Sequence, residues 1–122
     1  MINTSDFFSD NYFQARKKFY QACQRLNVDL FSFDCPAKGP NGESLTVDAT
    51  WIGPKNAEFV ILSISGTHGV EGFCGSGCQI GWMDSIKKQT LPENTSALIV
   101  HMLNPFGAAW QCVETQENID LN

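Results

Sequence analysis

The residues of this sequence best suited to chemistry are His68 and Glu71, which stand three positions apart in a glycine-rich segment, 66–72. An imidazole nitrogen and a carboxylate oxygen are suitable zinc ligands, and a catalytic zinc takes three protein ligands and a water. Glycines around the pair would let the backbone turn tightly about an ion. A structural interpretation is also open, because Glu71 at the start of a helix is favoured by the helix dipole and His68 could stabilise the loop.

The position of this segment strengthens the metal interpretation. Residues 59–65 form a nearly continuous, β-branched apolar run, which predicts a central strand covered on both faces. Residues 73–88 have helical spacing, and residues 97–103 predict a second buried strand parallel to the first. Ligands of open α/β sheets bind beyond the carboxyl ends of such strands. We therefore expect the loops at 66–72 and 104–111 to meet at a functional site.

The first half of the chain predicts elements that support this unit. Residues 5–26 carry apolar side chains at helical spacing, with a capping residue at Ser5 or Asp6. Residues 28–33 and 45–52 alternate between apolar and polar types, which predicts two strands. The fold class expected is α/β, with a partial mixed or parallel sheet flanked by helices.

Three segments resemble the zinc carboxypeptidase superfamily. Ser65–Ser76 resembles its first zinc-ligand segment, and His101–Gly107 and Glu117–Asn122 resemble later segments in the same order. The similarity is greatest to a bacterial carboxypeptidase-like branch related to the aspartoacylase and succinylglutamate desuccinylase group. It extends over residues 59–122, about half of the chain. The resemblance implies the N-terminal portion of a carboxypeptidase-like, phosphorylase/hydrolase-like fold.

Carried to individual residues, the resemblance implies that His68 and Glu71 are two zinc ligands. It also implies that Asn122 helps to hold the terminal carboxylate of a substrate, and that Asp120 supports the site. The implied activity is the hydrolysis of an amide bond next to a free carboxylate, in a peptide or an N-acyl amino acid. In such enzymes zinc lowers the pKa of water, a glutamate takes its proton, and an arginine grips the substrate.

The sequence departs from the family where that chemistry needs further residues. In the family an arginine follows the asparagine that matches Asn122, and the third zinc ligand and the general-base glutamate lie beyond it. Arginines usual after the Asn-Pro loop are replaced by the stretch Gln111–Val113. We therefore expect this chain, by itself, to be inactive. The alternative is a non-catalytic remnant or pseudoenzyme that binds a ligand or partner through the same cleft.

Other residues offer weaker metal sites. His101 lies within a predicted strand, so a buried core histidine is the simpler interpretation. Cys74 and Cys78 stand four apart on a predicted helix and could face one metal, but such a site needs further ligands nearby. Two chains could also share a site, each contributing His68 and Glu71 across a two-fold axis.

Composition limits the remaining function classes. The 122 residues are 43% hydrophobic and 17% charged, which predicts one globular domain over residues 1–122. A net charge of −5 argues against a nucleic-acid partner and against a polybasic membrane anchor. No apolar run is long enough to span a bilayer, and no signal peptide is visible.

Cysteine usage and the predicted sheet complete the expectations. The five cysteines form no Cys-x-x-Cys pair, so we expect reduced thiols in a cytoplasmic protein. A half-sheet that stops after its second parallel strand should leave an edge and an apolar face exposed. We therefore expect the chain to self-associate as a homodimer.

Overall fold

The apolar runs of the second half form a parallel pair of strands in the computed structural model, which describes residues 3–86 and 90–122. These strands belong to one four-stranded mixed sheet, in the order β1-β2-β4-β3. Its other two pairings, β1 with β2 and β2 with β4, are antiparallel. The elements are β1 (Phe31–Lys38), β2 (Ser44–Ile52), β3 (Phe59–Ile64), β4 (Thr95–His101), α1 (Tyr12–Leu26), α2 (Gly72–Ile86), α3 (Pro105–Trp110) and a 3-10 turn at Thr4–Phe7.

Helices α1 and α2 bury one face of this sheet, here called the inner face. The main core cluster joins Phe19 of α1 and Ile80 of α2 to Ile99 of β4, and each of the three is at most 2% exposed. Full burial of such a side chain stabilises the folded state by roughly 1.5–3 kcal/mol. A smaller cluster around Met102 links α1 to α3 beside the end of β4. The α/β class with a mixed sheet and flanking helices is thereby confirmed.

A partly buried ion pair fixes α1 against the inner face. The carboxylate of Asp48 on β2 is 1% exposed and accepts from Arg16 Nε at 2.7 Å. The hydroxyls of Ser32 and Thr46 bond to its other oxygen, at 2.5 and 3.1 Å. A buried carboxylate needs such partners, because desolvation would otherwise disfavour the charge. One of the two arginines in the sequence, Arg16, is therefore bound to a buried carboxylate.

The single helix predicted over residues 5–26 is wrong. The chain forms a 3-10 turn over Thr4–Phe7, breaks, and begins α1 at Tyr12. Asn11 is extended, and its side chain accepts from Gln14 N at 3.0 Å, so it caps a new helix. This cap satisfies a backbone donor that a continuous helix would have paired internally. Apolar residues keep their helical spacing across the break between the 3-10 turn and α1, so the sequence pattern does not indicate the break.

The first strand and the position of the third strand also differ from expectation. The strand predicted at 28–33 lies instead at 31–38, and it continues through Pro36, which an edge strand tolerates. The prediction that 59–65 is a central strand covered on both faces is wrong for the described chain. β3 stands at an edge of the sheet, and Phe59 and Leu62 are 60% and 58% exposed.

The loop expected at 104–111 contains helix α3, which begins at Pro105, whereas the two other predicted strands agree with expectation. Strands β2 and β4 match the predicted runs at 45–52 and 97–103 to within two residues, and their pairing is antiparallel. Helix α2 extends to Ile86, the last described residue before the gap, and residues 87–88 of the predicted helix lie outside the described residues. Among the helices of the described chain, none combines the length and apolar character needed to span a bilayer.

Candidate functional site

The residues after β3 are joined to the residues after β4 by backbone hydrogen bonds. Leu103 N donates to Ser65 O at 2.8 Å, and Asn104 N donates to Gly66 O at 2.7 Å. Gly66 has φ +71, and a Cβ there would lie 2.9 Å from Met102 Cα. The close approach and the positive φ both require glycine. The carboxyl ends of the two parallel strands therefore meet, as the sequence predicts.

The loop that carries the candidate ligands rests on α3 and the residues after it. Val70 N donates to Cys112 O at 3.1 Å. A Cβ at Gly69 would lie 2.0 Å from the carbonyl carbon of Gly107, a separation that no side chain tolerates. The stretch Gln111–Val113, where the family resemblance leads one to expect arginines, here supplies backbone acceptors to the loop.

Asn104 holds this arrangement together and is the site residue whose role the sequence did not reveal. It is 2% exposed, and its Oδ1 caps α3 by accepting from Gly107 N at 2.9 Å. Its Nδ2 donates to Val113 O and Glu114 O, each at 3.0 Å. An asparagine before a proline at a helix start is a signal for the cap. The contacts with residues 113 and 114 are tertiary and have no local signal.

His68 lies between two carboxylates. Its Nδ1 is 3.1 Å from Glu71 Oε2, and its Nε2 is 2.9 Å from Asp120 Oδ1. Two hydrogen bonds raise the pKa of His68 above its usual value, and the bond with Glu71 has a larger effect than the bond with Asp120. The pKa of Asp120 is lowered mainly by the hydrogen bond from Asn122 N, and to a smaller extent by the hydrogen bond with His68. Both ring nitrogens of His68 are thereby given a fixed direction.

The three residues singled out for binding lie around one open cleft. His68, Glu71 and Asn122 line it together with backbone and side-chain atoms from the end of β3 and the start of α2. Its volume of about 370 Å³ lies within the range of small-molecule sites. The structure therefore brings the predicted metal pair and the predicted substrate asparagine to the same place, with Asp120 adjoining them.

The donor set at this cleft suits two positions of a metal site. Two ligands of a tetrahedral zinc, each about 2.1 Å from the ion, lie roughly 3.4 Å from one another. The separation between His68 Nδ1 and Glu71 Oε2 is 3.1 Å, so small adjustments would admit an ion between them. Within residues 3–86 and 90–122, no group of three or more His, Cys, Asp or Glu side chains is arranged to hold a metal ion.

The other candidates lie elsewhere. His101 is fully buried, stacks on Phe19 with ring centroids 4.4 Å apart, and bonds through Nε2 with Ser76 Oγ at 2.9 Å. It is a core histidine, as the sequence indicates. Cys74 and Cys78 are exposed on α2. Neither cysteine lines the cleft that His68 and Glu71 line.

The fold is similar to those of two solved enzyme structures. A Zn-dependent exopeptidase from Parabacteroides distasonis aligns with 98% of this chain and 50% of its own, with 13% identity and a TM-score of 0.56. A glutaminyl cyclase from Fimbriiglobus ruber aligns with 80% of this chain and 41% of its own, with 10% identity and a TM-score of 0.52. The chain therefore spans half or less of the length of these two structures. The likeness concerns the fold.

Sequence comparison defines the family. No curated protein sequence matches this chain. The family model described as "Protein of unknown function (DUF2817)" matches residues 8–122, which is almost the whole chain. This protein is therefore a member of the DUF2817 family, with a fold like that of the Zn-dependent exopeptidases.

Proposed function

We propose that this chain carries the first two protein ligands of a zinc site in a metallohydrolase that cleaves an amide bond next to a free carboxylate. The observation that supports it is the placement of His68 Nδ1 3.1 Å from Glu71 Oε2, at a cleft that Asn122 also lines. The fold likeness to a Zn-dependent exopeptidase supports the same class of chemistry.

The role proposed for Asp120 is to orient His68. Histidines that ligate metals usually donate their other ring N–H to a carboxylate, which fixes the tautomer and the direction of the ring. Asp120 Oδ1 lies 2.9 Å from His68 Nε2 and so accepts a proton held on that nitrogen. With the proton on Nε2, Nδ1 would be free to ligate an ion placed between it and Glu71, in place of the hydrogen bond that joins the two residues here. Asp120 thus serves as a positioning residue for the proposed zinc ligand.

The substrate class follows from the other residue at the cleft. A bound zinc supplies Lewis-acid catalysis and lowers the pKa of water. Asn122 belongs to the cleft lining, and its backbone N–H donates to Asp120 at 2.9 Å. Its amide would donate to the free carboxylate of a peptide or an N-acyl amino acid. Both ends of the proposed reaction, metal and carboxylate, therefore fall within one cleft.

A second candidate function is ligand binding without turnover. Both arginines of the sequence, Arg16 and Arg25, belong to α1, and Arg16 is bonded to Asp48. The described part of the cleft therefore has no guanidinium for a substrate carboxylate, and it offers two metal ligands where hydrolysis needs three. On this ground we propose that the chain alone binds zinc and a ligand but does not hydrolyse an amide.

The test is the zinc content of the purified protein, with His68→Ala and Glu117→Gln measured beside it. Glu117 is an exposed acid of the same C-terminal segment and serves as a control for non-specific binding. We expect about one zinc per chain in the wild type and in Glu117→Gln, and loss of zinc in His68→Ala. An apo wild type at saturating zinc would contradict the proposal. Hydrolysis of N-acyl amino acids by the zinc-loaded chain would instead contradict the non-catalytic candidate.

A further inference from the structure

Asn104 makes hydrogen bonds that its place at the start of α3 does not require. A helix cap needs one side-chain acceptor, which serine, threonine or aspartate also supplies. Asn104 Oδ1 fills that role by accepting from Gly107 N at 2.9 Å. Its Nδ2 group donates in addition to Val113 O and Glu114 O, each at 3.0 Å. Among the polar cap residues only asparagine can accept through one atom and donate twice through another, so the Nδ2 contacts need a separate explanation.

The first of these two acceptors also binds the loop that carries the proposed zinc ligands. Val113 O accepts from Gly69 N at 3.4 Å, and the carbonyl of the residue before it accepts from Val70 N at 3.1 Å. The two donors are the residues that separate the proposed zinc ligands in the sequence. The backbone between the ligands is therefore bound to the same segment that Asn104 holds through Nδ2.

The amide group of Asn104 is tightly enclosed where α3 meets this segment. A Cβ at Gly107 would lie 2.6 Å from Asn104 Nδ2 and 2.8 Å from Cys112 O, so only glycine leaves room for the contact. A carbonyl that loses its donor in such a place costs free energy unless it reaches water. Without Nδ2, we therefore expect the carbonyls of Val113 and Glu114 to turn outward and to move the segment with them.

The second acceptor leads to the other hydrogen-bond partner of His68. Glu114 is followed by a closed turn, in which Thr115 N donates to Ile119 O at 2.9 Å. Asp120 comes directly after this turn, and its Oδ1 lies 2.9 Å from His68 Nε2. The carboxylate is therefore placed by a short, hydrogen-bonded path along the backbone that starts at the second Nδ2 contact.

Burial distinguishes Asn104 from the acidic groups that it connects. Asn104 is 2% exposed, whereas the side chains of Glu71 and Asp120 are 71% and 56% exposed in the described chain. An exposed side chain has little packing to fix its rotamer, so its direction depends on the backbone that carries it. The two acids beside His68 therefore rely on backbone placement, and the two backbone segments meet at the buried amide of Asn104.

We propose that Asn104 is a positioning residue of the zinc site, because its Nδ2 group holds the segment that fixes the backbone on both sides of His68. This inference rests on the proposed function, since it takes His68 as a zinc ligand. Asn104 is not among the residues that line the cleft, and it acts through Val113 and Glu114. Loss of a residue that orients a metal ligand weakens metal binding by about 10- to 100-fold. Because Asn104 acts through the backbone, we expect about 10-fold, the lower end of this range.

The experiment separates the donor role of Asn104 from its cap role. Asn104→Ser keeps a cap acceptor and removes both Nδ2 donors. Asn11→Ser makes the same change at the cap of α1, where Asn11 Oδ1 accepts from Gln14 N at 3.0 Å. Calorimetric zinc titration should show affinity weakened about 10-fold in Asn104→Ser and unchanged in Asn11→Ser. In the zinc-free proteins, hydrogen exchange at the amides of Gly69 and Val70 should accelerate only in Asn104→Ser. Circular dichroism establishes that both variants are folded.

Three outcomes would contradict a positioning role for Asn104. Zinc affinity could equal that of the wild type in Asn104→Ser, or it could fall equally in Asn11→Ser and so follow overall stability. Unchanged exchange at Gly69 and Val70 would exclude the path through Val113. A wild type that binds no zinc would instead contradict the proposed function, and the exchange comparison would then decide alone whether Asn104 holds the loop. If Asn104→Ser does not fold, Asn104→Asp replaces it, because aspartate keeps the size and the cap acceptor but lacks the Nδ2 donors.

Discussion

The two histidines of this sequence occupy opposite environments. His101 is 0% exposed between α1 and α2, and burial lowers its pKa to about 4. The side chain of His68 is 21% exposed on a loop, and two carboxylates raise its pKa. The first is held neutral by its surroundings and contributes packing, whereas the second has both nitrogens directed toward charged groups at a cleft.

The difference shows why position in the sheet decides what a histidine can do. His101 is the last residue of β4 and still faces the helices, so its ring is enclosed by Phe19 and Ser76. His68 lies four residues beyond the end of β3, past the point where helices cover the sheet. Residues at strand ends bind ligands because the cover stops there. Substitution of each histidine should therefore affect a different property.

The largest contrast is expected in stability. His101→Ala leaves a cavity beside Phe19 and removes the partner of Ser76, so the free energy of unfolding should fall by about 3–5 kcal/mol, as for other large buried rings. His68→Ala should change it by less than about 0.5 kcal/mol. Urea unfolding of the two variants measures both values. Similar losses would mean that the His68 loop is part of the core.

The second contrast is in the pH dependence of stability, because burial lowers the pKa of His101 whereas two carboxylates raise that of His68, so that the two contributions have opposite signs. The unfolded chain binds a proton at His101 near pH 6.5, and the folded chain does so only near pH 4. Between these values the unfolded state holds more protons, so stability falls as the pH is lowered from 6.5 to 4. The full effect is about 3 kcal/mol, from a pKa difference worth about 1.4 kcal/mol per unit.

The measurement is a series of unfolding curves from pH 7 to pH 4 for the wild type and for His101→Phe. Phenylalanine keeps a ring against Phe19 and removes the titrating group. The variant should lose less stability than the wild type across this range, by an amount approaching the full effect. Parallel curves for the two proteins would show that His101 is not the group responsible.

The same contrast between local and tertiary effects explains what the sequence could predict. The apolar runs that form β3 and β4 have a strong local signal, and the rule for strand ends directs attention to the loop that carries His68 and Glu71. The edge position of β3 was missed because cover is a property of the whole fold: a run typical of a buried strand does not specify what buries it. The break before α1 was missed because the cap at Asn11 competes with a continuing apolar period.

The contacts of the candidate site also divide into those between sequence neighbours, which a local pattern can indicate, and those between distant residues. His68 and Glu71 are neighbours in sequence, so their spacing alone indicates a shared centre. Asp120 is 52 residues from His68, and it was suggested by family resemblance rather than by any local pattern. Asn104 binds residues nine and ten positions further on through its side chain, and this role became visible only in the folded chain. Residues that contact the site from far along the chain are therefore the hardest to predict from sequence patterns.

The smallest contrast lies between the hydrogen-bond partners of the two rings. Asp120→Asn should weaken zinc binding by about 10- to 100-fold with little change in stability, because Asp120 is exposed and its proposed role is to orient His68. Ser76→Ala should leave zinc binding unchanged and cost about 1 kcal/mol, since it removes one buried hydrogen bond to His101. Calorimetric zinc titration and urea unfolding of both variants give the four values. If Asp120→Asn bound zinc as tightly as the wild type, the carboxylate would be a neighbour of His68 rather than its positioning residue. If Ser76→Ala weakened zinc binding, the core around His101 and the cleft around His68 would be coupled through α2, and the separation between the two regions would fail.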